Sequence, residues 1–276
     1  MTEYEKINRR FENLFFGRIN KALKSKINAF IEVLERGGNG KAFLENNLTN
    51  AELTKEVQRL YETVGLRHAN RTTRDLKRQE RKGFGFNEEW VKFIQEYLRE
   101  HLTSKILFGV NETQRDYLIK VLQRSVEEGL GVDETVRNLR SSGFTDRQAA
   151  TITRTEVNTA SNVGVLAAGD TYEYQMQKEW VSVKDNRTRG KDPEDHASHV
   201  ALNGTVIDFE DMFTDPRNGD RLNAPGDPKA SAASIINCRC NLTLKPKRDS
   251  RGKLIPKRQS TVVIYPNPNR TRTVLI

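Results

Sequence analysis

Two histidines and two cysteines in one part of the chain carry the residue types most able to bind a metal ion. They are His196, His199, Cys238 and Cys240, in a chain with only 4 His and 2 Cys. Imidazole nitrogens and thiolates are ligands that Zn²⁺ prefers, and four of them complete a tetrahedral site. The sequence therefore contains a candidate zinc site. Its spacing is not one of the strong zinc signatures. The two cysteines could instead lie on one side of a strand and pack as small hydrophobes.

A charged segment and two turn motifs lie between these residues. Asp185-Asn-Arg-Thr-Arg189 follows an apolar run, which predicts a position at the end of a strand. Asp185 can accept two hydrogen bonds, and Arg187 or Arg189 can donate a bidentate pair. We interpret the segment as a salt-bridged turn. Leu202-Asn-Gly204 predicts a tight turn and Pro225-Gly-Asp-Pro228 a rigid loop.

The first half of the chain has a helical pattern. Apolar residues at three- and four-residue steps predict an amphipathic helix over residues 5–36, which needs a partner or a core to cover its stripe. A second helix is predicted from Thr49, with Glu52 in a capping box and Leu48 packed on Leu53, up to Gly65. The basic residues 67–82 are interpreted as an exposed arm or linker.

Further helices are predicted up to about Ala168, and a different pattern follows. Asn87 and Asn111 are predicted N-caps, and helices are expected over 133–139 and 146–168. Glycine, proline and short β-like runs follow, predicting strands over 174–183, 200–209, 241–244 and 261–265. The sequence thus predicts an α+β protein in four parts: a helical region 1–86, a helical region 87–169, an α+β domain 170–245 and a basic tail 246–276.

Composition limits the compartment and the partners. The hydrophobic content is 36% and no stretch is apolar enough for a membrane span or a signal peptide, so we expect synthesis in a reducing cytoplasm and no membrane partner. Residues 245–276 contain nine Lys or Arg residues and one acid, Asp249. This excess predicts non-specific contact with double-stranded DNA or contact with an acidic partner. The alternative is a solvated, disordered end. The candidate DNA-binding residues are Lys245, Lys247, Arg248, Arg251, Lys253, Lys257, Arg258, Arg270 and Arg272.

Several motifs in a fixed order resemble the phage Mu F-like head morphogenesis family, the minor capsid proteins of tailed phages. The resemblance covers about residues 145–245. Its residues are Arg154, Glu156, Asn162, Trp180, Asp185, Arg187, Thr188, Arg189, His199, Gly204, Asn237, Cys238, Arg239 and Cys240. Ile235-Ile236 stands where many members have His-Pro before this Asn-Cys-Arg-Cys motif, which removes one potential metal ligand.

The resemblance implies a minor head protein inside the virion, assembled in the host cytoplasm. It implies association with the portal protein, contact with scaffold or major capsid protein, and a role in DNA packaging, retention or ejection. It also implies a C-terminal domain related in fold to ADP-ribosyltransferases. An enzyme of that type, using Arg187, Arg189, His199 and Glu179, is the alternative, but these residues show no catalytic spacing. A nuclease using Asp185, His196 and His199 lacks the paired carboxylates of a two-metal site.

Overall fold

The computed structural model describes residues 2–47, 49–80, 88–104, 106–257, 262–264 and 273–275. Long helices make up most of the first 170 residues, and short strands and loops make up most of the rest. The long helices are α1 (Glu3–Glu35), α3 (Ala51–Glu80), α4 (Glu88–Ser104), α5 (Ile106–Glu127) and α7 (Phe144–Asp170), joined by the shorter α2 (Gly40–Asn46) and α6 (Val132–Ser141).

Helix α1 confirms the predicted first helix and shows what covers its apolar stripe. Thr2 caps it in a capping box with Glu5. Phe15, Ile19 and Leu23 are buried in one core with residues of α3, α4 and α7. These side chains are therefore covered within the chain, whereas Leu14 on the same helix is 51% exposed.

The second helix differs from the prediction at both ends. Its cap is Asn50, whose Oδ1 accepts a hydrogen bond from the Leu53 backbone N–H at 2.9 Å, and not Thr49; Leu48 lies outside the described residues. The helix continues through Gly65 to Glu80, so most of the basic segment is helical and is not an arm. The reason is packing: His68, Ala69 and other residues beyond Gly65 are buried.

Two other helical predictions need correction. Asn111 lies inside α5 and does not cap it; its Oδ1 accepts a hydrogen bond from Lys26 Nζ at 3.4 Å. Helix α2 was not predicted, because the segment Gly37-Gly38-Asn39-Gly40, where it begins, indicates only the end of the first helix. The predictions over 133–139 and 146–168 are confirmed as α6 and α7. Asn87 lies outside the described residues.

Helix α7 is the central element of the fold. Every residue from Thr155 to Gly169 is buried. Its sequence is rich in Ala, Thr, Asn and Gly, small residues that let neighbours approach on all sides, and it has no amphipathic pattern for the same reason. Its apolar side chains enter two cores: Val157 and Val163 pack with α1, α3 and α4, and Val165 and Leu166 pack with the C-terminal sheet.

A small antiparallel sheet packs on the C-terminal half of α7. The strands are β1 (Met176–Val181), β2 (Val206–Asp208) and β5 (Asn241–Pro246), in the order β2-β1-β5, with Trp180 opposite Leu242. The predicted α+β class is confirmed. The predicted strand 200–209 is correct only for β2, because His199–Leu202 forms a helical turn, α8.

Smaller elements complete the described residues. Strands β3 (Phe213–Thr214) and β4 (Arg221–Leu222) form one antiparallel pair, and α9 (Ala232–Ile235) precedes the Asn-Cys-Arg-Cys motif. Strands β6 (Val262–Ile264) and β7 (Thr273–Leu275) form another antiparallel pair, and β6 falls inside the predicted strand 261–265. Within the part of the chain that the structure describes, none of the helices combines the length and the apolar character of a membrane span.

Part of the predicted tail folds back onto the sheet. The Lys247 backbone N–H donates to the Gln175 carbonyl and the Gln175 N–H donates to the Ile255 carbonyl, each at 2.8 Å. The Lys257 N–H donates to the Glu173 carbonyl at 2.9 Å. Residues 246–257 are therefore attached to the chain that leads into β1.

Candidate metal site and the motif network around it

Asn162 holds the family motifs together. Its side chain is buried on α7, and its Oδ1 accepts a hydrogen bond from the Leu242 backbone N–H at 2.8 Å. Its Nδ2 donates to the carbonyl oxygens of Pro225 at 2.9 Å and Cys240 at 3.2 Å. One amide thus joins the central helix to the Pro-Gly-Asp-Pro loop and to the start of β5.

Asp185 forms the predicted salt bridge with an arginine other than those predicted. Arg239 Nη2 donates to Asp185 Oδ1 at 2.8 Å, and Arg239 Nη1 donates to the other carboxylate oxygen. Arg187 approaches only to 3.8 Å, and Arg189 donates to the Ile236 carbonyl. The bidentate pair expected from Arg187 or Arg189 comes instead from Arg239, which is distant in sequence and reaches the turn from the start of β5. Arg187 keeps a longer ion pair with Asp185.

This pairing and the turn itself stabilise the Asp185 carboxylate. The Arg239 guanidinium, together with the Arg187 backbone N–H at 3.0 Å, holds the pKa of Asp185 well below its usual range. Thr188 Oγ1 donates to Asp185 Oδ1 at 3.3 Å and also contacts the Val183 carbonyl. The interpretation as a salt-bridged turn is therefore confirmed.

His199, Cys238 and Cys240 meet in the interior. His199 Nδ1 lies 3.6 Å from Cys238 Sγ and 3.5 Å from Cys240 Sγ, and all three side chains are buried. A sulfur about 2.3 Å and a nitrogen about 2.1 Å from one tetrahedral Zn²⁺ are about 3.6 Å apart. The distances match this geometry, so the three donors fit a zinc ion.

The surroundings of the cluster fix its orientation. The His199 ring packs edge-on against Trp180, with ring centroids 5.2 Å apart. Ser182 Oγ donates to the His199 carbonyl at 2.6 Å and lies 3.6 Å from Cys240 Sγ. The hydrogen bond between the two thiols raises the pKa of Cys238 and lowers the pKa of Cys240. Ser182 belongs to the site although the sequence patterns did not identify it.

His196 does not join this cluster. Its side chain is exposed, whereas Ala197 and Ser198 that follow it are buried. Within the described residues, the group that could hold a metal ion contains three side chains, which leaves one coordination position without a protein ligand. The predicted set of four ligands is reduced to three, because the turn before α8 directs only His199 inward.

The other motif residues have structural contacts. Arg154 Nη1 donates to Asn237 Oδ1 at 3.0 Å, and Asn237 has a positive φ of 58°. Glu156 is buried and accepts a hydrogen bond from Tyr61 Oη at 2.8 Å. Gly204 has a φ of +80° and donates its N–H to the Trp180 carbonyl, as the predicted turn requires.

Lys178 is a buried charged residue that the sequence patterns did not identify. Its Nζ donates to Asn223 Oδ1 and lies 5.7 Å and 5.8 Å from the ring centroids of Phe209 and Phe213. Burial lowers the pKa of Lys178 to about 8. Its position in the sequence could have indicated this burial. Lys178 lies between Met176 and Trp180 at every second position of β1, and these positions face the interior.

The candidate DNA-binding residues separate into two groups. Lys245 pairs with Glu179, Lys247 pairs with Asp208 at 2.7 Å, and Lys257 Nζ donates to the Gly169 and Asp170 carbonyls. Three others, which have exposed side chains, are Arg248, Arg251 and Lys253. Arg258, Arg270 and Arg272 lie outside the described residues.

Comparison with known proteins confirms the family resemblance. Residues 116–243 match the model of the family described as Phage Mu protein F like protein. The matched range includes Asn162, Asp185, His199 and the Asn-Cys-Arg-Cys motif. The match covers 128 of the 276 residues, a little under half of the chain.

The comparisons with individual proteins and with solved structures give less information about function than the family match. The chain is 28% identical over 167 residues to the uncharacterized protein YqbB of Bacillus subtilis (strain 168), a match that covers 59% of this chain and 48% of that protein. The match thus spans about half the length of this relative. No solved structure matches the chain.

Proposed function

We propose that this chain is a minor head protein that associates with the portal protein and takes part in DNA packaging, retention or ejection. The observation that carries the proposal is the family match over residues 116–243. Among the residues that carry the resemblance, Asn162 donates to the Cys240 carbonyl in the interior, and Arg239 pairs with Asp185 at the turn. Such contacts stabilise a fold, which suits a structural component.

The contacts of the candidate catalytic residues also favour a structural role over the ADP-ribosyltransferase alternative. Glu179 pairs with Lys245, and Arg189 donates to a backbone carbonyl. His199 faces two cysteine sulfurs in the interior. We therefore do not propose a transferase activity, and the relationship to the ADP-ribosyltransferase fold stays a prediction.

Portal association is tested by co-expression with the portal protein encoded by the same genome. We expect the two proteins to co-elute in size-exclusion chromatography after affinity capture of the portal protein. The major capsid and scaffold proteins of that genome, co-expressed in parallel, show whether the contact is specific to the portal. Elution of this chain as a separate species in every pairing would contradict the proposed association.

A zinc ion held by His199, Cys238 and Cys240 is the second part of the proposal. Two observations support it: the distances from His199 Nδ1 to the two sulfurs agree with a tetrahedral zinc site, and all three side chains are buried. The ion would connect α8 to the chain that leads into β5, two segments far apart in sequence, and its binding free energy would stabilise the folded state. Its role would be structural, with one coordination position available to water.

DNA contact is the third part, and we assign it to Arg251 and Lys253, whose side chains are exposed. Arg251 and Lys253 lie in the turn around Gly252, where the Arg251 and Lys253 backbone N–H groups both donate to Asp249 Oδ1 at 2.9 Å. That turn leaves two cations on the surface for the phosphates of packaged DNA. The paired lysines Lys245 and Lys247 contribute less, because their charges are already matched by acids.

A further inference from the structure

A polar cavity lies next to the Asp185 turn and is separate from the cluster of His199, Cys238 and Cys240. It has a volume of about 370 Å³ and is enclosed by the start of α1, the middle of α7 and the turn after β1. This volume lies within the range of small-molecule sites. Four arginines line it: Arg9, Arg154, Arg187 and Arg239.

The cavity contains a buried donor without an acceptor. Asn158 lines it, is only 4% exposed, and its Nδ2 has no hydrogen-bond partner. Nearly all buried polar groups in folded proteins are paired, so an unpaired amide at a cavity wall indicates a ligand that supplies an acceptor atom. This observation is independent of the arginines.

Arg154 and Arg187 retain donors that their contacts within the protein do not use. Arg239 is neutralised by Asp185, and Arg154 gives one N–H to Asn237. A guanidinium has five N–H donors, so Arg154 has others. Arg187 has a 74% exposed side chain and lies 3.8 Å from Asp185, beyond hydrogen-bond distance.

Three carboxylates, Glu5, Glu12 and Asp185, face the four arginines of the cavity. Glu5 already accepts a hydrogen bond from the Thr2 backbone N–H in the capping box of α1. Asp185 already accepts hydrogen bonds from Arg239 and from the Arg187 backbone N–H. Glu12 also lines the cavity, and burial raises its pKa despite the nearby Arg154, Arg9 and Arg239. The unused groups are therefore mainly donors, which match a ligand rich in acceptor oxygens.

We propose that this cavity binds a phosphate group, with Arg187 and Arg154 donating to its oxygens from the rim and Asn158 Nδ2 donating from the wall. Guanidinium and phosphate match in geometry and charge. The phosphate could belong to a free pyrophosphate compound or to the backbone of DNA. Both sources present the same oxygens, and the experiment separates them. The proposal does not depend on portal association or on zinc.

The test measures binding of inorganic pyrophosphate to the full chain by calorimetry at low salt, with a short DNA duplex as the second probe. We expect Arg187→Gln to weaken pyrophosphate binding by about tenfold, the loss of one charge-assisted pair. Arg36→Gln is the matched control: its side chain is 82% exposed and lies 3.7 Å from Glu32, as Arg187 lies 3.8 Å from Asp185. This control should bind like the parent.

The outcomes are distinct. If Arg187→Gln loses affinity for pyrophosphate but not for the duplex, the ligand is a free phosphate compound. If it loses affinity for the duplex but not for pyrophosphate, the ligand is the DNA backbone. Binding of neither probe by the parent would overturn the proposal, as would equal losses in Arg187→Gln and Arg36→Gln, which would report net charge only. Asn158→Leu serves as the second variant. If this variant is folded by circular dichroism and binds like the parent, the proposed site is overturned, because Asn158 then does not contact the phosphate.

Discussion

The carbonyl oxygen of Gly65 lies 2.1 Å from the position that a Cβ atom would occupy at Gly164. The two glycines lie inside α3 and α7 and bring the backbones of these helices together. A glycine inside a helix costs about 1 kcal/mol relative to alanine. Here the close approach of α3 to α7 requires it. Gly65 therefore marks a helix contact, although in the sequence it indicated a helix end.

Gly164→Ala should destabilise the protein by about 1–3 kcal/mol, because the new methyl group meets backbone atoms that cannot rotate away. Gly17→Ala in α1 is the control. A Cβ there would have nothing within 4 Å, so the substitution should stabilise the protein by up to about 1 kcal/mol. Urea unfolding followed by circular dichroism measures both. Equal effects of the two substitutions would show that α3 and α7 are not in close contact.

Asn162→Ala should destabilise the protein by about 3 kcal/mol or more. The change leaves the Leu242 N–H and the carbonyls of Pro225 and Cys240 without their side-chain partner in the interior, and each such loss costs about 1 kcal/mol or more. Asn28→Ala, at an exposed position of α1, is the matched control and should change the free energy of unfolding little. A loss below about 1 kcal/mol in Asn162→Ala would contradict the network.

The Asp185–Arg239 pair should make stability depend on pH in the acidic range. The pKa of Asp185 is depressed in the folded protein. Its contribution is therefore fully present above the unfolded-chain value of about 3.9, and it is lost as the pH falls towards the folded value.

In Asp185→Asn this pH dependence should disappear. Because the Asp185 side chain is 37% exposed, we expect a loss of only about 1 kcal/mol at neutral pH and less difference near about pH 2. Asp116→Asn, at an exposed position of α5, controls for charge. The measurement is urea unfolding of the three proteins across this range. Parallel profiles for the parent and Asp185→Asn would refute the assignment.

Zinc binding should depend on His199 and not on His196. Protein purified with zinc present is expected to contain about one zinc per chain by elemental analysis. His199→Ala and Cys238→Ser should lose it, because two remaining donors do not hold the ion. His196→Ala, three positions away and exposed, should retain it. Absence of zinc from the parent, or equal zinc content in all four proteins, would contradict the proposed zinc site.

DNA affinity should depend on the exposed cations near Gly252. The double variant Arg251→Gln, Lys253→Gln should bind duplex DNA more weakly at low salt, and the slope of log affinity against log salt should fall by up to about 2. Lys245→Gln, Lys247→Gln removes the same charge from residues that pair with acids, so it should have a smaller effect. Equal losses in the two double variants would mean that net charge, and not this turn, governs binding. A deletion starting at Lys245 would be a poorer test, because it removes the end of β5.

The sequence by itself determined the α+β class, the helices α1, α6 and α7, and the family motifs. Local signals are sufficient for these: Thr2 and Glu5 form a capping box, apolar residues recur on one face of α1, and the motifs keep a fixed order. The turn at Gly204 could also be predicted from the sequence, because the positive φ that such a turn requires favours glycine.

The tertiary structure alone decided which of these residues meet. Arg239 rather than Arg187 forms the bidentate pair with Asp185, Glu156 is buried against Tyr61, and His199 joins the cysteines without His196. The continuation of α3 beyond Gly65 also depends on α7. The physical reason is the same in each case: the partners lie far apart in the chain and are brought together by packing around α7. A local pattern can state what a side chain is able to bind, but not which partner the fold brings to it.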